Sequence, residues 1–190
     1  MYQNARVNIV STYNYPSSKA TGNRINYFVT DLINNKYEVT VTSIGPDSSS
    51  QFENIIIDKK NINIVLQKRN FKNYLIRGLD ELILCCKLLL KVNRNEIVLI
   101  TIPSVFLLFI FSLFYKGKII VDIRDITWEY LSNSNFILKY FALVIKKLAK
   151  RCLKKSLFIL VTNKYEKEII SKIVNKEVIV IPNGISKNKF

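Results

Sequence analysis

The stretch "KIIVDIRD", residues 118–125, decides the fold class of this chain. Its apolar residues follow one another without alternation, which is typical of a strand buried on both faces of a parallel sheet. Asp122, Arg124 and Asp125 stand at the carboxyl end of that strand. Because open parallel sheets bind ligands beyond the carboxyl ends of their strands, the stretch predicts an α/β protein with a functional site at this edge.

Similar short runs recur on both sides of this stretch and alternate with helical patterns. Strands are predicted at 6–11, 37–44, 61–67, 96–101, 118–123, 157–162 and 177–181. Helices are predicted at about 22–35, 71–93, 104–115, 136–154 and 163–174. Since β-α-β crossovers are right-handed, this order predicts a doubly wound, Rossmann-like, mostly parallel sheet of about seven strands with helices on both faces.

The composition limits the classes of function. A chain of 190 residues with 49% hydrophobic residues can bury the core of one domain, and its net charge of +15 favours an anionic partner. Histidine is absent, which removes histidine-based catalysis and histidine metal ligands. The three cysteines are odd in number and lack metal-ligand spacing, so they indicate a reducing compartment without a disulfide framework.

Five loops are expected to share one rim of the sheet, at 12–22, 101–104, 122–131, 162–165 and 182–184. In the first of them, Gly22 would start a helix and let a ligand approach the backbone, with an anion at the helix N-terminus. The alternative is a plain N-terminal turn. The loop is too long and too poor in glycine for the dinucleotide fingerprint.

The stretch "VDIRDITWEY", residues 121–130, combines groups that suit a sugar ligand. A carboxylate beside a guanidinium can orient a hydroxyl or act as a base, as Asp122, Arg124 and Asp125 would here. Trp128 would offer a ring face for stacking, with Glu129 close behind. The alternative is a structural ion pair between Arg124 and a neighbouring acid.

Four landmarks, in order along the chain, resemble the N-terminal half of family 4 glycosyltransferases of the GT-B architecture. They are Gly22 before "INYFVTDLINNKYEVTVTS", "ITIPS" at 100–104, "IIVDIRD" at 119–125, and "LVTNKYEKEII" with "VIVIPNGI" between 160 and 185. Two departures stand out. Thr21-Gly22 replaces the glycine pair that many members have, and Arg124-Asp125 replaces their His-Asp, as in a subgroup that transfers amino- or deoxysugars.

The resemblance implies a retaining, hexosyltransferase-like enzyme that moves a sugar from a nucleotide sugar to a glycan or lipid-linked acceptor in bacterial surface-polysaccharide synthesis. Residues 1–185 would form the acceptor-side domain, and 186–190 would begin the crossover to a C-terminal nucleotide-sugar-binding domain carrying Glu-x7-Glu. The isolated domain would not turn over. No cofactor and no metal are expected, since the nucleotide sugar is itself a substrate.

The resemblance also implies which residues act. Arg124 and Asp125 would be catalytic and would face the reacting sugars, with Asp125 positioning the acceptor hydroxyl. The expected substrate-binding residues are Ser18, Lys19, Thr21, Gly22, Asn23, Asp122, Trp128, Glu129, Asn163, Asn183 and Gly184.

Residues 136–156 predict a helix that meets a membrane surface. They include seven basic residues and no acidic one. One face would pack on the sheet, through Ile137, Phe141, Val144, Ile145, Leu148 and Cys152. The opposite face would carry Lys139, Lys146, Lys147, Lys150 and Lys154, with Phe136, Tyr140 and Leu143 on or beside it. Apolar residues among lysines are the pattern of an interfacial helix, whereas a solvated helix face is the alternative.

These features predict a cytoplasmic protein held peripherally at the inner face of the cell membrane. The apolar stretch 105–115 is too short to span a bilayer. A basic nucleic-acid-binding module is the alternative function, because the charge suits phosphate binding. No nucleic-acid-binding motif is visible, however, and much of the charge lies on a helix rich in large aliphatic residues, so no nucleic acid is expected. A nicotinamide-dependent oxidoreductase is disfavoured because its glycine-rich turn is missing.

Overall fold

The computed structural model describes residues 5–17, 19–44, 62–64, 74–102, 104–132 and 136–183. Within these ranges, seven strands form one sheet in which every neighbouring pair is parallel. The strands are β1 (Arg6–Asn14), β2 (Glu38–Ile44), β3 (Ile62–Ile64), β4 (Ile97–Ile102), β5 (Ile119–Ile123), β6 (Ile159–Val161) and β7 (Val178–Val180). Their spatial order is β3-β2-β1-β4-β5-β6-β7.

Helices connect the strands as the sequence predicts. They are α1 (Ala20–Asn34), α2 (Tyr74–Lys91), α3 (Val105–Phe114), α4 (Thr127–Ser132), α5 (Phe136–Leu153) and α6 (Lys164–Ile173). The short helix α4 falls in a stretch predicted as loop. The predicted residues 71–73 of the second helix, most of the third strand and the proposed crossover at 186–190 lie outside the described residues.

Helices cover both faces of the sheet, and adjacent strand residues separate into two cores. On β4, Ile100 belongs to a core with α2, α3, α5 and α6, whereas Leu99 belongs to a core with Ile25 and Phe28 of α1. Continuous apolar strands produce this arrangement because successive side chains point to opposite faces. The prediction of a doubly wound, Rossmann-like parallel sheet is therefore confirmed.

The order in which strands join the sheet changes direction between β1 and β4. The chain first adds β2 and β3 on one side of β1, and then β4 to β7 on the other side. Such a switch point leaves a crevice outside the carboxyl ends of the two strands. The connections that follow β1 and β4 therefore border the crevice, with β5 next to β4.

The first connection is shorter than predicted. Strand β1 continues to Asn14, and α1 already begins at Ala20, after Lys19 in an extended conformation. The strand is prolonged by pairing with β2, and the N–H of Tyr15 still donates to the carbonyl of Ile44 at 3.1 Å. Gly22 is consequently the third residue of α1 and not its start.

Helix α3 is apolar on nearly every side. Ser104 caps its N-terminus by accepting a hydrogen bond from the N–H of Leu107 at 3.3 Å. Leu107, Leu108 and Phe111 are buried in the core, while Leu113 remains exposed. None of the described helices combines the length and the apolar character needed to cross a bilayer.

Candidate functional site

The centre of the site is a buried ion pair that joins α1 to β5. The guanidinium of Arg24 holds the carboxylate of Asp122 at two points, with Nε 2.9 Å from Oδ2 and Nη2 2.5 Å from Oδ1. Both side chains are almost completely buried. Burial raises the pKa of the Asp122 carboxyl, and the hydrogen bonds from Arg24 act in the opposite direction.

Arg24 also holds the segment that leaves β7. Its Nη1 donates to the carbonyl of Ile181 at 2.8 Å and to Oδ1 of Asn183 at 3.2 Å, with the carbonyl of Pro182 at 3.4 Å. The guanidinium carbon lies 5.0 Å from the centre of the Phe28 ring, in cation–π contact. One side chain thus connects α1, β5 and the Pro182-Asn183 segment.

Arg124 reaches from the end of β5 to the first turn of α1. Its Nη1 donates to Oγ1 of Thr21 at 2.5 Å, and its backbone N–H donates to the carbonyl of Ile102 at 3.2 Å. Asp125, the next residue, is exposed. The guanidinium is therefore fixed beside the crevice, with an accessible carboxylate adjacent to it in the chain.

Buried polar atoms without a partner concentrate near the same edge. Among the described residues, four side chains have such an atom, and three belong to the ends of β4 and β5 or to the connection after β5. These atoms are Oγ1 of Thr101, Nε of Arg124 and Nε1 of Trp128; the fourth is Oδ1 of Asn8. Unpaired buried polar groups are rare and mark functional or hydrated positions.

The close approach at Gly22 is made by the chain itself. A Cβ atom at Gly22 would lie 1.9 Å from the carbonyl oxygen of Ser17 and 2.9 Å from its Cβ. Glycine is required here because the segment before α1 folds back over its first turn. The side of Gly22 that was expected to face a ligand is thus covered by Ser17.

Two predicted substrate contacts are inaccessible. Trp128 is 2% exposed, because α4 turns its indole into the core beneath the sheet edge. The prediction that this ring offers a face for a sugar is wrong in this fold. Asp122 is 0% exposed and is held by Arg24, so its role is structural. The predicted alternative, an ion pair between Arg124 and a neighbouring acid, is also wrong, because the partner of Asp122 is Arg24 and Arg124 donates to Thr21.

The remaining predicted residues spread along the rim. Thr21 and Asn183 belong to the cluster around Arg24 and Arg124, whereas Lys19 and Asn23 are exposed at the start of α1. Glu129 accepts a hydrogen bond from Lys146 at 3.0 Å, which ties α4 to α5. Ser18 and Gly184 lie outside the described residues.

Asn163 caps α6. Its Oδ1 accepts a hydrogen bond from the N–H of Glu166 at 2.9 Å, and the carboxylate of Glu166 binds both the N–H and the hydroxyl of Thr162. This arrangement satisfies the N–H of Glu166 in the first turn and the N–H of Thr162 just before the helix. Asn163 is exposed, so it can still contact a ligand, although its observed contacts are structural.

The structure changes which face of α5 is buried. Ala142, Ala149 and Leu153 pack inward, whereas Phe141 and Leu148, which were expected on the sheet side, are exposed. The helix is therefore rotated relative to the prediction. Val144 is also exposed, while Ile145 is half-buried and Cys152 is buried. Of the five predicted membrane-facing lysines, Lys139, Lys147, Lys150 and Lys154 are exposed and Lys146 is half-buried.

Sequence reasoning missed Arg24. A signal was present, because Arg24 falls within the buried positions of α1, next to Ile25 and four residues before Phe28. An arginine on an apolar helix face requires a buried acidic partner. Among the described residues, no group of three or more potential metal-binding side chains comes together.

No protein-family model matches this chain, and no curated protein matches it in sequence. Its fold is similar to that of the sucrose-phosphate synthase from Thermosynechococcus elongatus, with a TM-score of 0.57 and 8% sequence identity. The similarity covers 94% of this chain and 48% of the other, so the chain spans about half the length of that protein. At this identity the likeness concerns the fold alone, and it supports the Rossmann-like fold described above. Membership of family 4 stays a prediction.

Proposed function

We propose that this chain is the acceptor-side domain of a retaining glycosyltransferase. The observation that carries the proposal is the arrangement at the switch point, where Arg124 is fixed to Thr21 beside the exposed Asp125. The fold likeness to a sucrose-phosphate synthase supports it, because the name of that protein describes the synthesis of a sugar phosphate. The four sequence landmarks of family 4 glycosyltransferases support it independently.

In this proposal the two rim residues have different tasks. Asp125 accepts a hydrogen bond from the acceptor hydroxyl and orients it toward the donor sugar. Arg124 supplies positive charge where the leaving nucleotide phosphate gains negative charge. Its contact with Thr21 fixes the guanidinium before the substrate arrives, which favours a preorganised site.

The proposed substrates are a nucleotide sugar and a lipid-linked glycan of a bacterial surface polysaccharide. The donor would be held mainly by a second, C-terminal domain, so that this chain alone would not turn over. The chain would act in the cytoplasm at the inner face of the cell membrane. Neither a metal ion nor another cofactor is required by the proposal.

The test is an Asp125→Asn variant of the complete enzyme, that is, this chain joined to its nucleotide-sugar-binding domain. We expect turnover to fall by about 10²–10⁴-fold, because the neutral amide orients the acceptor hydroxyl poorly. Asp31→Asn is the matched control, since Asp31 is an exposed carboxylate on α1. Unchanged turnover in Asp125→Asn would refute the assigned role.

The coding sequence provides a second check. An open reading frame that continues downstream and encodes Glu-x7-Glu about 100 residues later, within one domain length, is expected. Tight, strongly salt-dependent binding to duplex DNA would instead favour the nucleic-acid-binding alternative.

A further inference from the structure

Three neighbouring helices expose large apolar side chains on the side that faces away from the sheet. Helix α3 lies between α2 and α5 and contacts both. Seven of these side chains are more than half exposed, and together we name them the outer apolar surface: Leu79, Leu90, Leu113, Phe114, Tyr140, Phe141 and Leu143. Contiguous exposed apolar patches on a folded domain mark a docking site.

On the opposite face of the sheet, the described residues expose fewer large apolar side chains. In the described part of α1, the exposed large apolar side chains are Tyr27 and Ile33. Among the described helices, exposed large apolar side chains are therefore more numerous on α2, α3 and α5 than on α1.

Exposed cations accompany the outer apolar surface. Lys147, Lys150 and Arg151 are exposed on α5, and Lys87 and Lys91 are exposed on α2. The sequence of α5 contains no acidic residue. Long basic side chains beside apolar ones can place their charges among headgroups while the apolar groups enter the acyl boundary.

We propose that the outer apolar surface docks on an anionic lipid bilayer, with α2, α3 and α5 lying against the headgroup region. The sequence alone pointed to α5, whereas the structure adds α3 and α2 and makes Leu113 and Phe114 central to the contact. This inference makes the proposed membrane association more specific. It rests on the proposed function in one respect only, namely that membrane binding would bring the chain to a lipid-linked acceptor.

The charge of the surface favours lipid over other occupants. If two copies of this chain met through this surface, the cations of α5 would face either the α5 or the α2 of the other copy. Since Lys87 and Lys91 on α2 are also positive, both arrangements would be repulsive. A nucleic acid would use the cations but would leave Leu113 and Phe114 in water. An anionic bilayer satisfies both kinds of group at once.

The experiment is flotation of the purified chain with vesicles made of equal parts phosphatidylcholine and phosphatidylglycerol, compared with vesicles of phosphatidylcholine alone. We expect binding to the anionic vesicles that weakens with salt, because the Debye length is about 10 Å at 0.1 M. Leu113→Ser/Phe114→Ser should weaken binding by about tenfold or more. Lys147→Gln/Lys150→Gln should weaken binding by about 10–30-fold, because each lysine contributes about fivefold and the two effects multiply.

Matched controls lie on the other face of the sheet. Tyr27→Ser/Ile33→Ser removes exposed apolar groups there, and Lys36→Asn removes a charge after α1; both should bind like the wild type. Circular dichroism confirms that each variant is folded, which is expected because all substituted side chains are exposed.

Two results would overturn the inference. One is that Leu113→Ser/Phe114→Ser and Lys147→Gln/Lys150→Gln bind the anionic vesicles as well as the wild type does. The other is absence of vesicle binding together with a dimer that Leu79→Ser/Leu90→Ser dissociates, which would assign the surface to a second copy. Because flotation needs no sugar substrate, either result is distinct from a failure of the proposed glycosyl transfer.

Discussion

Arg24 and Asp122 pair through hydrogen bonds from Nε and Nη2 of the guanidinium, at the junction of the first helix and strand β5. The pair is nearly free of solvent, and the third nitrogen of the guanidinium binds the segment after β7. Three parts of the chain that are far apart in sequence therefore depend on one cation. Removing the cation would leave a buried carboxylate without compensation.

Arg24→Met should lower the free energy of unfolding by about 3–5 kcal/mol, because it isolates the charge of Asp122 in the interior. Arg24→Lys should have an intermediate effect, since an ammonium group keeps the charge but loses the two-point geometry. Urea denaturation measures both. Arg6→Met is the control, because Arg6 forms an exposed ion pair with Glu38 and should change stability little. An equally small effect at Arg24 would contradict the structural role.

Gly22→Ala should destabilise the protein by about 1–3 kcal/mol, because the added Cβ would collide with the backbone of Ser17. Gly78→Ala is a matched control within a helix, since a Cβ at Gly78 would meet nothing within 4 Å. It should stabilise α2 by about 0.5–1 kcal/mol. Thermal unfolding of the two variants should therefore shift in opposite directions, and equal shifts would argue against the close contact with Ser17.

Because the hydroxyl of Tyr115 is buried, we expect the protein to lose stability in alkali. Burial raises the pKa of this hydroxyl to about 12 from 10.0, and the hydroxyl donates to the carbonyls of Asn93 and Glu96. The unfolded chain releases this proton at lower pH than the folded chain does, so stability falls as pH rises from about 10 to about 12. The contribution is fully present below the pKa of the unfolded state.

Tyr115→Phe should start from a lower stability but should lose less of it as pH increases. Denaturation in urea at several pH values between about 9 and 11 measures the slope for each protein. Some slope should remain, because burial also raises the pKa of Tyr15. Identical slopes for wild type and variant would show that Tyr115 ionises alike in both states.

Trp128 should behave as a core residue in fluorescence. It is the single tryptophan of the chain and is 2% exposed, so its emission should be blue-shifted and poorly quenched by acrylamide. Urea should shift the emission to the red as the core opens. Efficient quenching in the folded protein would instead restore a surface role for the indole.

Most of the fold was predictable from local pattern. Uninterrupted apolar runs such as 118–123 identify buried parallel strands, and the alternation with helices fixes the class of topology. Boundaries were less accurate where pairing or capping decides them, as at Asn14, where β2 extends β1. The rotation of α5 could not be read from its periodicity, because large apolar residues lie on more than one side of the helix.

The side-chain contacts at this edge of the sheet were not predictable from the sequence, and its role as a functional site stays a prediction. Arg124 contacts Thr21, and Asn183 contacts Arg24, at the edge where the strands end, as the carboxyl-end rule leads one to expect. The pairing of Arg24 with Asp122 spans 98 positions, and no local pattern specifies such a contact. The burial of Trp128 depends on the short helix α4, whose six residues are too few for a periodic signal.

The hydrogen bonds from Nη1 of Arg24 to residues 181–183 determine where this domain can be joined to another. A fusion junction before Ile181 would remove hydrogen-bond acceptors from the guanidinium of Arg24, which also neutralises the charge of Asp122. A junction after Asn183 would keep that anchorage intact. Chimeras that join another domain to this one should therefore place the junction downstream of Asn183.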